Sequence, residues 1–158
     1  MALSHFVQII KISSPSNGDI LLGTVEGIFY VDKSNIIHEF NNIPKQFNVG
    51  FRSLLTNKKN EKWFGTASDG LYRLSNDVIS NFNLTNGLTF NSGMCLFNDR
   101  EGNTWIGTDG SGAFKFLGEQ FTSYSKNNGL PENYVNAVAQ DINGSIWIAL
   151  RNSGLSKI

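Results

Sequence analysis

One interval organises this chain. The stretch NTWIGTDGSG at 103–112 nearly repeats EKWFGTASDG at 61–70. Gly65 and Gly107 stand 42 residues apart, and the same step leads back to Gly23 and forward to Ala149. Other series keep the step: Phe40, Phe82 and Tyr124; Leu21, Trp63, Trp105 and Trp147; Ile12, Leu54, Leu96 and Val138. Gly18, Asn60, Gly102 and Gly144 form a further one. Gly70, Gly112 and Gly154 follow it too, while Gly27 falls one residue early. Several registers in phase do not arise by chance. The chain is a tandem array, and that is read before any single motif.

The period limits the architecture. Helical repeats of the ankyrin or TPR kind are shorter, roughly 33–34 residues, whereas propeller blades run to about 40–45 with four strands each. Each unit divides into four short β-rich runs parted by turn residues. NYVNAVAQ leads through DINGS to SIWIAL, and NTWIGT leads through DGSG to AFKFLG and then GEQFTSYS. Such spacing belongs to all-β chains. No stretch carries apolar residues at helical spacing for three turns, and sixteen glycines with three prolines suit a turn-rich sheet protein. The expected fold is a β-propeller of four-stranded antiparallel blades, about four in number. Blade 1 covers about 6–42, blade 2 about 47–84, blade 3 about 91–126 and blade 4 about 133–158, the last without its outer strand.

Blade packing explains the recurring residues. Blades stack face to face, so their middle strands are covered on both sides. Along a strand, Trp105 and Gly107 share one face while Ile106 and Thr108 share the other. The indoles Trp63, Trp105 and Trp147 fill the space between blades. Gly65 and Gly107 leave room for the neighbour. Phe82 and Tyr124 complete each blade from its outer strand.

Composition excludes several classes. Thirteen basic and thirteen acidic residues give a formal charge of zero, without the basic stripe of a nucleic-acid binder. Cys95 is the single cysteine and is expected as a buried small residue in a first strand. MALSHFVQIIKI lacks the basic start of a signal peptide. No run reaches the length of a membrane span, so no membrane contact is expected of this segment. Only His5 and His38 are histidines. There is no G-x-S-x-G elbow, no metal spacing and no phosphate loop. DREGN at 99–103 lacks the spaced ligands of a calcium loop and reads as a hairpin turn. No catalytic residue, metal or cofactor is expected.

A loop face is the remaining candidate. In a propeller the loops between second and third strands gather with the blade-to-blade loops around the channel. Here the former hold Ser68, Asp69, Asp109, Ser111, Arg151 and Asn152, and the latter Asn48, Asn91, Glu132, Asn133 and Tyr134. Asp69, Asp109, Arg151, Asn152, Asn91, Asn133 and Tyr134 are the ligand candidates. Amide, carboxylate and aromatic groups suit a hydroxyl-rich ligand. The same residue types also serve turns.

The order of WIGT, F..Y, NGLP.N.V and D..G..WI resembles the two-component regulator propeller repeat. Trp105, Ile106, Gly107, Thr108, Gly112, Phe121 and Tyr124 carry it in the third copy. Asn128, Gly129, Leu130, Pro131, Asn133, Val135, Asp141, Gly144, Trp147 and Ile148 carry it in the fourth. Leu21, Leu22, Ala149 and Leu150 depart from it. That family forms extracytoplasmic sensor regions of hybrid two-component system histidine kinases in Bacteroides-type bacteria. The resemblance implies a periplasmic, non-enzymatic sensor of a carbohydrate-derived ligand, such as an oligosaccharide, with output through a kinase outside this chain. It implies neighbouring propeller repeats as well.

An open arc exposes apolar blade faces. Four blades could close on themselves, or two chains could form a ring of eight with two-fold symmetry. Blade geometry suited to larger rings opens too wide for four, which favours the homodimer. A structural self-assembly module without a small-molecule ligand is the alternative reading.

Overall fold

The computed structural model describes residues 9–13, 18–24, 27–40, 50–86, 88–90 and 92–158. His5, Phe6, Asn48 and the candidate Asn91 lie outside them. No described helix is long and apolar enough to cross a membrane.

Four antiparallel sheets follow one another along the chain. The first holds β1 (Ile9–Ser13), β2 (Ile20–Thr24), β3 (Ile28–Val31) and β4 (Ile37–Glu39). The second holds β5 (Phe51–Thr56), β6 (Lys62–Thr66), β7 (Leu71–Ser75) and β8 (Val78–Phe82). The third holds β9 (Gly93–Asn98), β10 (Thr104–Thr108), β11 (Ala113–Phe116) and β12 (Phe121–Tyr124). The fourth has three strands, β13 (Val135–Gln140), β14 (Ile146–Leu150) and β15 (Gly154–Lys157). Strand order is sequential in every sheet. First strands lie side by side, β1 on β5, β5 on β9 and β9 on β13. The fold is an open, incomplete β-propeller with its last blade short of one strand, as its repeat implies.

The middle strands divide their residues between two neighbours. All five residues of β10 are buried. Trp105 joins Val135, Val138, Ile146, Ile148 and Leu150 of the following blade. Ile106 joins Trp63 and Leu71 of the preceding one. Trp63 and Trp105 are 0% and 2% exposed, whereas Trp147 is half-buried. Phe82 stacks on Trp63 with centroids 6.0 Å apart, and Tyr124 stacks on Trp105 at 5.3 Å. Strand pairing sets a cation opposite each indole: Arg73 beside Trp63, Lys115 beside Trp105, Lys157 beside Trp147. Two places along from Trp63 and Trp105 a side chain has little room. A Cβ on Gly65 would meet Ser53 Oγ of its own sheet at 2.1 Å and Gly93 O of the next at 2.5 Å. On Gly107 it would meet Cys95 Sγ at 2.4 Å and Val135 Cγ1 at 2.6 Å. The crowding therefore comes from the same sheet as well as from the neighbour.

Two more series acquire physical reasons. Gly18, Asn60, Gly102 and Gly144 have φ of 86°, 60°, 88° and 93°. Each closes the hairpin between first and second strands in the left-handed conformation, which favours glycine and tolerates asparagine. The first strand of every blade also carries a register shift, between Ile9 and Lys11, Phe51 and Ser53, Gly93 and Cys95, and Val135 and Ala137. The residues so bulged include Arg52, Met94 and Asn136, one repeat apart. A bulge bends the strand and re-aims its side chains. Cys95 on β9 is half-buried, and burial pushes its thiol up to about 11.

Candidate functional site

In blades 1 to 3 a threonine builds the loop between second and third strands, while blade 4 has Leu150 at that position. Thr66 Oγ1 donates to Gly70 O at 3.0 Å and accepts from Asp69 N at 2.9 Å. Thr108 Oγ1 donates to Gly112 O at 2.7 Å and accepts from Ser111 N at 3.0 Å. Thr24 Oγ1 donates to Gly27 O at 2.9 Å. The three are at most 2% exposed. This clamp fixes each turn and so places the side chains at its tip. Its sequence signal is the recurring Gly-Thr pair.

At the junction of blades 3 and 4 the turn tips meet. Arg151 Nη2 donates to Asp109 Oδ1 at 2.6 Å, one full repeat away. The Arg151 guanidinium lies 4.6 Å from the centroid of the Tyr134 ring, and Arg151 N donates to Tyr134 O at 3.0 Å. Asp109 and Tyr134 form a β-bridge between the blades. Asn133 O accepts from Gly112 N at 2.8 Å, and Asn133 Oδ1 from Lys126 N at 2.7 Å. Glu132 is buried. Its carboxylate accepts Asn152 N at 2.8 Å and Asn152 Nδ2 at 3.0 Å. These hydrogen bonds, led by the Asn152 backbone, hold Glu132 below the usual carboxylate range.

Of the sequence candidates, Asp109, Asn133, Tyr134, Arg151 and Asn152 therefore share one cluster, with Glu132 beneath them. Asp69 is held within blade 2, where it accepts the Tyr72 hydroxyl and Asn83 Nδ2. Burial, then Asp69, pushes the Tyr72 hydroxyl up to about 12. Ser111 Oγ donates to Thr89 O at 3.0 Å. Each described candidate thus has a role in the loop it occupies. What remains outward is the Tyr134 side, 40% exposed, and the Arg151–Asp109 pair, with side chains 42% and 31% exposed. An aromatic edge beside a cation and a carboxylate can stack on a ligand and exchange hydrogen bonds with its hydroxyls.

The opposite end of the sheets has its own repeated constellation. Asp99 Oδ2 accepts the Trp105 indole N–H at 2.9 Å, and Asp141 Oδ2 that of Trp147 at 2.9 Å. Burial would raise Asp99, but hydrogen bonds from Asn103 and Trp105 outweigh it and hold the carboxyl low. The Trp147 indole, foremost, lowers Asp141. DREGN is thus a hairpin whose aspartate anchors an indole. Cations strap neighbouring hairpins together: Lys58 Nζ donates to Arg100 O at 2.9 Å, and Arg100 Nη1 to Ile142 O at 3.0 Å. His38, on the outer strand β4, pairs with Asp32 at 2.8 Å and stacks on Tyr30. Among the described residues no group of three His, Cys, Asp or Glu side chains could hold a metal ion.

Residues 129–152 match the family described as two component regulator propeller. That stretch of the fourth unit is similar to a two component regulator propeller repeat. The matched residues include all of the loop cluster except Asp109, together with the Asp141–Trp147 anchor. The whole chain is similar in fold to the extracellular domain of a hybrid two component system from B. thetaiotaomicron, with a TM-score of 0.85 and 23% identity. That match covers 99% of this chain and 22% of the other. Virginiamycin B lyase from Staphylococcus aureus shares the fold at a TM-score of 0.74 and 11% identity, over 99% of this chain and 57% of the lyase. No curated protein sequence matches the chain. At these identities the likeness is one of fold.

Proposed function

We propose that this chain is a non-enzymatic, extracytoplasmic ligand-sensing segment of a two-component sensor, taking a carbohydrate-derived signal at the loop face of blades 3 and 4. The observation that carries this reading is the Tyr134–Arg151–Asp109 cluster, of which Tyr134 and Arg151 lie in the stretch similar to the propeller repeat. A ring edge, a cation and a carboxylate on a rigid scaffold suit a ligand rich in hydroxyls. The same fold also carries lyase chemistry, and a histidine variant of that lyase is described as catalytically inactive. Here the described histidine, His38, lies on an outer strand, tied to Asp32, which favours binding over turnover.

Calorimetric titration with a panel of oligosaccharides tests the proposal. A binding heat that Tyr134→Ala and Arg151→Ala each weaken supports it. Turnover of any glycan overturns it. Absence of heat with every glycan, from a well-folded protein, leaves the second reading, self-association of blades into a two-chain ring. That reading draws on Trp147, half-buried where its counterparts are covered, and on Leu155, 65% exposed beside it on β15. Sedimentation at micromolar concentration separates a homodimer from a monomer.

A further inference from the structure

Blade 2 breaks the rule that blades 3 and 4 keep. In blades 3 and 4 an aspartate closes the first hairpin and accepts the indole N–H, while a lysine lies over the indole ring. In blade 2 the aspartate position holds Asn57, and the cation is Arg73, 5.8 Å from the Trp63 ring centroid. Asn57 keeps the hairpin role, its Oδ1 accepting Lys59 N and Glu61 N at 3.0 Å each. Its Nδ2 turns to Glu61 Oε2 at 2.7 Å. The carboxylate has moved four residues along, where Glu61 pairs with Arg73 Nη2 at 2.8 Å. Two donors are left over. Trp63 Nε1 and Arg73 Nε are both buried and have no hydrogen-bond partner.

Buried donors of this kind are rare in folded proteins and call for an acceptor. Arg73 lines a groove of about 330 Å³ between blades 2 and 3, and so does Asn57, which occupies the position of the aspartate that takes the indole proton in blades 3 and 4. Asn57, Lys59, Glu61 and Arg73 form one wall, with Asn103 and Phe116 opposite. Lysine and arginine exceed the one glutamate by a single positive charge. The indole bond missing in blade 2 is the one a carboxylate makes in blades 3 and 4.

We propose that this inter-blade groove binds a carboxylate-bearing small molecule, which supplies to Trp63 and Arg73 the acceptor that Asp99 supplies to Trp105. Lys59 and the guanidinium of Arg73 provide the attraction. The Asn57 side chain yields to admit the anion, since the amide cannot itself take the indole proton while Oδ1 serves the turn. Phe116 gives the apolar wall for the rest of the ligand. This site lies at the opposite end of the blades from the loop cluster and stands or falls independently of it.

The test follows indole N–H resonances in ¹⁵N-labelled protein, with Trp63 assigned through Trp63→Phe. Acetate, D-glucuronate and D-glucose are the probes, each at millimolar concentration. Acetate and glucuronate move the Trp63 resonance while leaving those of Trp105 and Trp147 in place, and glucose does not. Asn57→Asp rebuilds the hairpin of blades 3 and 4. It shifts the Trp63 resonance without ligand and weakens glucuronate binding about tenfold or more. A Trp63 resonance unmoved by either carboxylate, or moved equally by glucose, overturns the proposal. So does an Asn57→Asp protein that binds glucuronate as tightly as the parent.

Discussion

Asp99 Oδ2 lies 2.9 Å from Trp105 Nε1, and both groups are buried. The carboxylate also accepts Asn103 N at 2.7 Å and Asn103 Nδ2 at 2.8 Å. One side chain therefore closes the hairpin and fixes the indole that the next blade covers. Asp99→Ala orphans a buried indole donor together with the hairpin bonds. We expect a loss of about 2–3 kcal/mol in denaturant unfolding. Asn103→Ala, which leaves Asp99 in place, costs less.

The same carboxylate makes stability depend on pH. Its folded-state pKa is depressed below the ordinary 3.8. The contribution is thus complete above 3.8 and is lost as pH falls through the folded value. Thermal midpoints of the parent protein should fall as pH drops below about 4. Asp99→Asn should start lower at pH 7 and show a shallower decline. Equal slopes for the two proteins would contradict the assignment.

Indole burial grades the blades. Trp105→Ala removes a side chain 2% exposed and should cost about 3–5 kcal/mol. Trp147 is half-buried, so Trp147→Ala should cost about half as much. Urea midpoints of the two variants measure the difference, and equal losses would mean that both indoles are covered in solution.

Two repeat-equivalent glycines should respond differently. Gly112 has φ +87°, and a Cβ there would approach Tyr124 O to 2.0 Å. Gly154 has φ +73° with nothing within 4 Å. Gly154→Ala should cost about 1 kcal/mol from backbone strain alone, and Gly112→Ala about 3 kcal/mol or more because the strand must also shift. Unfolding titrations distinguish them.

The Arg151–Asp109 pair is exposed, so Arg151→Ala should change stability by less than about 1 kcal/mol. A large stability loss would recast the pair as a structural strut rather than part of a recognition surface.

Repetition made the fold legible. Trp63, Trp105 and Trp147 at one step, with Gly65 and Gly107 two places along, demand a unit that packs on its own copy. Bulges could not be read from the chain. Arg52, Met94 and Asn136 share no chemistry, because a bulge is a backbone property that many residues satisfy. The loop cluster was legible in part. Turn tips named Asp109, Arg151 and Asn152, but the sequence could not say that Glu132 would be consumed in holding Asn152. In sequence Asn57 holds the turn position that Asp99 and Asp141 hold one and two repeats later. Its difference appears only when the indole proton is followed to its acceptor.

The cation straps have a direction. Lys58 reaches forward to the Arg100 carbonyl, and Arg100 reaches forward to that of Ile142. Blade 3 carries both hook and eye in Arg100, so a gene segment of that kind copied in tandem arrives with its own fastening. Ile142, 86% exposed, keeps the eye without the hook. A unit duplicated after it would join the array untethered at that corner, and evolution would have to supply a new clasp there.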